Sequence, residues 1–243
     1  MKQNMLDTYQ ISSIGSLIKG NPYVGRGIIC GMTPDGKNAV SAYFIMGRSA
    51  NSRNRVFVED GDDLMIKPYD ESKVEDPSLI IYYPLRMLEN KMIVTNGDQT
   101  DTIRDFEEEG KSFTEALRTR EFEPDGPNFT PRISSIFYLD RKEYSISILK
   151  SGDPDGGSCS RYFFEYSMAP GLGHFIHTYE TDGSPIPTFL GEPDRTNIPD
   201  DIDKFTNAIW DDLDEANKIS LYVRYVDLTT GETESRLINK YDE

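Results

Sequence analysis

Cysteine, histidine and tryptophan are scarce: two Cys, two His and one Trp among 243 residues. Cys30 and Cys159 are too few for a disulfide framework, and they lack metal-ligand spacing. A reducing, cytoplasmic compartment is the expectation. Basic side chains are also in short supply, 26 against 42 acidic ones, leaving a formal net charge of −16. A protein that neutralises nucleic-acid phosphates needs a basic face, so general DNA or RNA binding is excluded. No apolar run approaches the roughly 18 residues of a membrane-spanning helix. The opening Met1-Lys2-Gln3-Asn4 leads into a polar segment with neither an apolar signal core nor a small-residue cleavage site. Core material is plentiful by contrast. Apolar residues make up 37% of the chain and aromatics 11%, enough for one large domain with a proper interior.

The pattern along the chain is mostly that of strands. Leu6, Gln10, Ile14, Leu17 and Ile18 fall near helical spacing until Gly20-Asn21-Pro22 stops them, which predicts a helical extension over 1–21 laid on a single domain over 22–243. Its apolar face offers a contact for a homo-oligomer. Gly27–Gly31 and Asn38–Met46 flank Thr33-Pro34-Asp35-Gly36-Lys37, a hairpin with turn chemistry of the Pro-Asp-Gly kind. Further strands are expected at Arg55–Val58, Leu79–Tyr83, Lys91–Thr95, Ile133–Leu139, Tyr144–Leu149, Tyr162–Ser167 and Phe175–Tyr179. A last hairpin pairs Ser220–Asp227 with Ser235–Lys240. Helices are expected from about Thr100 to Glu109, from the capping box Ser112-Phe113-Thr114-Glu115 through Arg120, and around Ile202, Phe205, Ile209 and Leu213. Segments 151–157 and 181–199 read as long surface loops of the kind that rim active sites. The whole predicts an α+β fold, with mostly antiparallel sheets packed together and helices outside.

Charge is unevenly distributed. Residues 21–55 hold Arg26, Lys37, Arg48, Arg53 and Arg55 against one acid, Asp35, so that window is +4 and the remainder −20. Guanidinium forks suit bidentate phosphate contacts, and the stretch 47–55 mixes three arginines with small hydroxyl and amide residues. Surface ion pairing with the surrounding acids is the competing reading. Asn96-Gly97-Asp98-Gln99-Thr100-Asp101 leaves a strand and enters a helix. There Asn-Gly suits a left-handed turn, and Asp98 or Thr100 suits a cap; the same turn also exposes groups able to read a heterocycle. Prolines 124 and 131 fix the bend that carries Glu123 and Arg132, as catalytic groups require, though a plain charged loop has the same pattern. Tyr82 and Tyr83 are adjacent on an expected strand, so one faces the core and the other a cleft. His174 and His177 would point to opposite faces of a strand and share no metal. No P-loop or dinucleotide fingerprint is present.

Taken in order, Pro22-Tyr23-Val24-Gly25-Arg26, Arg48-Ser-x-x-x-Arg53-x-Arg55, Thr95-Asn96-Gly97-Asp98-Gln99-Thr100-Asp101 and Thr130-Pro131-Arg132-Ile133 resemble the archaeal-type inosine monophosphate (IMP) cyclohydrolase family, over about residues 22–180. The resemblance implies a four-layer αββα sandwich similar to N-terminal nucleophile hydrolases. It also implies closure of 5-formamidoimidazole-4-carboxamide ribonucleotide to IMP and water in purine biosynthesis. Tyr82, with Tyr83 as its rival, and Glu123 match the catalytic pair. Arg26, Arg48, Arg53 and Arg55 are expected on the 5′-phosphate, and Asn96, Thr100, Asp101 and Arg132 on the ribose or carboxamide. The implied partner is a small purine ribonucleotide, with no nucleic acid, no membrane, no metal and no organic cofactor. The chain departs from the archaeal pattern in about twenty extra leading residues and in a poorly covered stretch, 171–193.

Two other functions fit the same suspected fold. An amidohydrolase of the N-terminal nucleophile type would need a Cys, Ser or Thr freed just before the first strand, where this sequence has Gly20-Asn21-Pro22. A non-catalytic purine-nucleotide-binding protein would keep the pocket without turnover.

Overall fold

The computed structural model describes residues 9–73 and 82–241. Two antiparallel sheets dominate it. The first has six strands, β1 (Arg26–Met32), β2 (Asn38–Met46), β10 (Leu172–His177), β11 (Asp194–Asn197), β12 (Lys218–Asp227) and β13 (Thr233–Asn239), in the order β11-β10-β1-β2-β12-β13. The second is a seven-stranded meander in chain order: β3 (Val56–Asp60), β4 (Asp63–Lys67), β5 (Leu85–Leu88), β6 (Lys91–Thr95), β7 (Arg132–Tyr138), β8 (Glu143–Ser151) and β9 (Cys159–Ser167).

Period-two alternation sorts the side chains of each strand. On β2, Ala39, Tyr43 and Ile45 join Ile28 and Cys30 of β1 in a cluster with Met92, Val94, Ile133 and Phe137 of the second sheet. The intervening Val40, Ala42, Phe44 and Met46 meet Ile202, Phe205 and Ile209 of α5 (Ile202–Asp212) and Ile14 and Ile18 of α1 (Ile14–Ile18). Ile93 and Ile136 of the second sheet pack with Ile103 of α3 (Gln99–Glu108) and with Phe113, Ala116 and Leu117 of α4 (Phe113–Arg118). Each sheet is thus apolar on both faces, one shared with the other sheet and one with helices. Ile209 is fully buried, and cutting such a side chain to Ala costs about 2–5 kcal/mol.

The hairpin expected around Thr33–Lys37 forms, with Arg26–Met32 registered against Ile45–Ala39. The Ser112 capping box forms as well, its hydroxyl accepting from Glu115 N–H while the Glu115 side chain accepts from Ser112 N–H. The long leading helix narrows to five residues, α1, capped by Ser13; Leu6 lies outside the described residues. The strand expected over 79–83 falls partly outside them too, and Tyr82 and Tyr83 themselves are irregular. Three strands went unforeseen. β4 and β5 offer only four or five residues each, and β11 (Asp194-Arg195-Thr196-Asn197) is wholly polar. β11 is an edge strand held by its backbone pairing to β10, which asks little of its side chains.

Candidate active site

A cavity of about 370 Å³ opens where the start of β1, the β2–β3 connection, the turn between β6 and α3, and the 119–131 loop converge. Arg26 enters it from the first residue of β1. Arg48 and Arg55 flank α2 (Ala50–Arg53), a one-turn helix closed by reciprocal bonds between Ser49 and Ser52. Asn96, Gly97 and Asp98 arrive from the β6–α3 turn, Glu123 from the loop, Arg132 from the start of β7, and Tyr82 from just before β5. Seven of the ten residues singled out in the sequence therefore share one wall-to-wall space. Arg53, Thr100 and Asp101 are placed elsewhere.

The loop that carries Glu123 is clamped across its neck. Glu123 N–H donates to Thr130 O at 2.9 Å, and Thr130 N–H donates to Asp125 Oδ1 at 2.6 Å. The Thr130 hydroxyl lies 2.5 Å from Asp125 Oδ2 and 2.6 Å from the Tyr179 hydroxyl. Burial pushes the Glu123 carboxyl above its ordinary value; Arg26, Arg132 and Arg55 pull against that, and Asp125 reinforces it. Burial likewise raises the Tyr82 phenol, opposed by Arg55, Arg26 and a hydrogen bond with Tyr43 at 3.2 Å. Arg26 is opposed by its own burial, yet Tyr23, Glu123, Tyr82 and Tyr179 around it hold its pKa above the usual value. Arg55 is lowered by burial and by the like charge of Arg26. A carboxylate poised to take a proton, a phenol, and the half-buried Arg26 and buried Arg55 guanidiniums therefore act on one another within this space.

The two tyrosines are now told apart. Tyr82 is 7% exposed and lines the cavity, whereas the Tyr83 hydroxyl donates to Asp60 at 2.8 Å and its ring lies under the Arg86 guanidinium. The β6–α3 turn also differs from expectation. Gly97 is not left-handed; it is needed because a Cβ there would come within 2.5 Å of Arg132 Nη1. Asp98 stands at the N-cap but makes no capping bond. Its carboxylate pairs instead with Arg120 at 2.6 Å and Arg132 at 2.8 Å, and although burial works the other way, these partners leave its pKa below the ordinary value. The Asn96 amide bridges to β7, donating to Pro131 O and accepting from Ile133 N–H. It shapes the wall with its polar atoms already engaged.

Each of the three absent residues has a physical reason. Arg53 turns back to Gly47 O and Asn217. The Thr100 hydroxyl is buried against Thr95 and Gly97 O. Asp101 pairs with Arg86 and Arg104. Sequence reasoning missed Tyr23, Asn128 and Tyr179 as lining residues. It also missed Asp182 and Gly183, which hold the Arg48 guanidinium at the rim. The reading of 181–199 as an active-site rim was the one signal that pointed there. His174 and His177 do face opposite ways: His174 bonds Tyr144 and stacks on Tyr166, while His177 stacks on Phe175. Among the described residues no group of His, Cys, Asp or Glu is arranged to hold a metal.

The family described as IMP cyclohydrolase-like protein matches residues 23–232, well beyond the 22–180 expected from the motifs. The chain is 32% identical over 181 residues to the IMP cyclohydrolase of Methanopyrus kandleri, covering 69% of this chain and 89% of that protein. It is 28% identical over 162 residues to the enzyme of the same name from Methanococcus aeolicus, covering 65% and 74% of the two chains. With that of Methanocaldococcus jannaschii it shares 30% identity over 133 residues, 54% and 63% of the two chains. A match that takes in every strand but β13 and every element lining the cavity makes this chain a member of the IMP cyclohydrolase-like family.

Proposed function

We propose that the protein is a cyclohydrolase of purine biosynthesis that closes 5-formamidoimidazole-4-carboxamide ribonucleotide to IMP and water. In this reading one domain over 22–243 forms a four-layer αββα sandwich similar to N-terminal nucleophile hydrolases and works in the cytoplasm. The carrying observation is the meeting of Glu123, Tyr82 and Arg26 in one cavity. Among the described residues the Arg26 guanidinium has no hydrogen-bond or ion-pair partner, as befits a charge reserved for a ligand anion.

Both reacting groups sit on the same imidazole, so holding them coplanar and facing accounts for much of the acceleration. The carboxamide nitrogen attacks the formyl carbon. Glu123 takes one of that nitrogen's protons and passes it to the formyl oxygen. The carbon–oxygen bond then breaks, and the hydroxyl leaves as water with the proton of the former formamido nitrogen, moved by the same carboxylate. A raised Glu123 pKa suits both transfers near neutrality. Tyr82 donates a hydrogen bond to the oxygen as charge develops on it, with Arg26 and Arg55 alongside. Arg48, Ser49, Asn51 and Ser52 provide guanidinium, hydroxyl and amide groups for the 5′-phosphate. No step requires a metal.

The test is direct. Purified protein supplied with the formamido ribonucleotide yields IMP, identified by chromatography and mass, faster than the ribonucleotide cyclises alone. Absence of IMP above that background overturns the assignment.

A further inference from the structure

Tyr43 sits in the middle of β2, in the core between the two sheets, with 1% of its surface exposed. Its ring stacks on Phe57 at 5.5 Å, so its packing would be served equally well by phenylalanine. The hydroxyl is the anomaly. Burying it is costly unless it is hydrogen-bonded, and among the described residues its one hydrogen-bond partner is the Tyr82 hydroxyl, at 3.2 Å.

Each phenol has one proton to give. If Tyr82 gave its proton to Tyr43, the Tyr43 O–H would be left without an acceptor in an apolar core, and Tyr82 would have nothing to offer the cavity. If Tyr43 gives, its donor is satisfied. The Tyr82 oxygen is then fixed as an acceptor, and the Tyr82 proton is free to point at an oxygen bound in the cavity. An unmade buried hydrogen bond is the costlier fault, so the second arrangement holds whenever a ligand oxygen is present.

We infer that Tyr43 is a positioning residue for ring closure: its phenol donates to the Tyr82 oxygen and thereby turns the Tyr82 proton toward the formyl oxygen of the substrate. The inference rests on the proposed role of Tyr82. Because it gives a proton to Tyr82, Tyr43 also eases negative charge on that oxygen, in the same sense as Arg26 and Arg55 beside it.

The experiment is a double-mutant cycle on turnover of the formamido ribonucleotide across pH, with Tyr43→Phe, Tyr82→Phe and the pair. For Tyr43→Phe we expect kcat to fall about tenfold, less than the roughly hundredfold or more that a group touching the reacting atoms contributes, with KM and IMP affinity within about twofold. The alkaline limb of the profile moves to higher pH, because Tyr82 loses the bond that favours its ionised form. In the Tyr82→Phe background, Tyr43→Phe has no further effect on kcat. Replacing Tyr43 with a ring-fluorinated tyrosine keeps the packing and strengthens the donor, and it moves the alkaline limb the other way. A wild-type kcat and pH profile in Tyr43→Phe, alongside an impaired Tyr82→Phe, overturns the role of Tyr43 and leaves that of Tyr82 standing. An unimpaired Tyr82→Phe removes both.

Discussion

Arg132 crosses Gly97 so closely that any side chain at 97 forces it aside: a Cβ there would stand 2.5 Å from Arg132 Nη1 and 2.6 Å from Gln99 Oε1. Those two atoms are themselves bonded at 2.6 Å, and the same Nη1 pairs with Asp98. Gly97→Ala therefore displaces the guanidinium from Glu123. A shift of about an ångström in a positioning group costs on the order of a hundredfold in rate, whereas the overpacking costs about 1–3 kcal/mol of stability. Steady-state kinetics beside a thermal melt will show kcat/KM falling far more than the melt implies. An unchanged kcat/KM would separate Arg132 from the chemistry.

Glu123 ties activity and stability to pH in opposite senses. Its native pKa stands above the ordinary carboxylate value of 4.5, chiefly through burial. As a base it works only when ionised, so the acid limb of the rate profile lies above pH 4.5. The folded state holds this proton more tightly than the unfolded one. The Glu123 charge is thus a destabilisation that appears as pH rises from the unfolded value and is complete above the native one. Melts of Glu123→Gln will show it more stable than wild type at pH 8, the gain vanishing toward pH 4. A gain independent of pH would contradict the assigned titration.

Asp182 holds Arg48 at the rim of the cavity. Both side chains are more than a third exposed, so the pair is weak, and a phosphate arriving at Arg48 must compete with it. Asp182→Asn is expected to lower KM for the ribonucleotide about two- to fivefold, the free-energy scale of an exposed pair. Isothermal titration with IMP checks the same change in affinity. A higher KM would mean that the rim loop must stay latched for binding.

His174 is stacked on Tyr166 at 3.7 Å with Nδ1 2.6 Å from the Tyr144 hydroxyl. Burial first, and then Arg195, lowers its pKa to about 4 from 6.5. The unfolded chain binds this proton first, so the ring's contribution to stability is present above pH 6.5 and is lost as pH falls through that window. An NMR titration of the two histidines will find the His174 ring neutral at pH 5.5. A midpoint near 6.5 would contradict its burial.

Much of this was legible because strands advertise themselves through alternation. β2 carries Ala39, Tyr43 and Ile45 on one face and Val40, Ala42 and Phe44 on the other, and the Pro-Asp-Gly turn fixes its register with β1. β11 was hidden since its pairing is made by backbone alone. The site shows the same division. Arg26, Glu123 and Arg132 sit beside strand starts and prolines that hold them in place, and their motifs led to the cavity. Arg53 and Arg55 are two residues apart, yet α2 turns one back to Gly47 and the other into the cavity. The spacing of two arginines around an unforeseen one-turn helix carries no sign of that split. Asn96 and Thr100 were read as ligand-facing polar groups, but Asn96 spends its hydrogen bonds on Pro131 and Ile133 at the start of β7, and Thr100 spends its own on the turn. Only three-dimensional neighbours reveal that.

The central claim is that Glu123 moves the protons of ring closure in this cavity, and turnover of saturating formamido ribonucleotide by wild type and Glu123→Gln, side by side near pH 7.5, tests it most directly. The amide keeps the shape of the side chain and cannot accept the carboxamide proton. The account predicts IMP from the wild type and a kcat lowered about a hundredfold or more in the variant, with IMP still bound by both. Equal rates of IMP formation by the two proteins would contradict it.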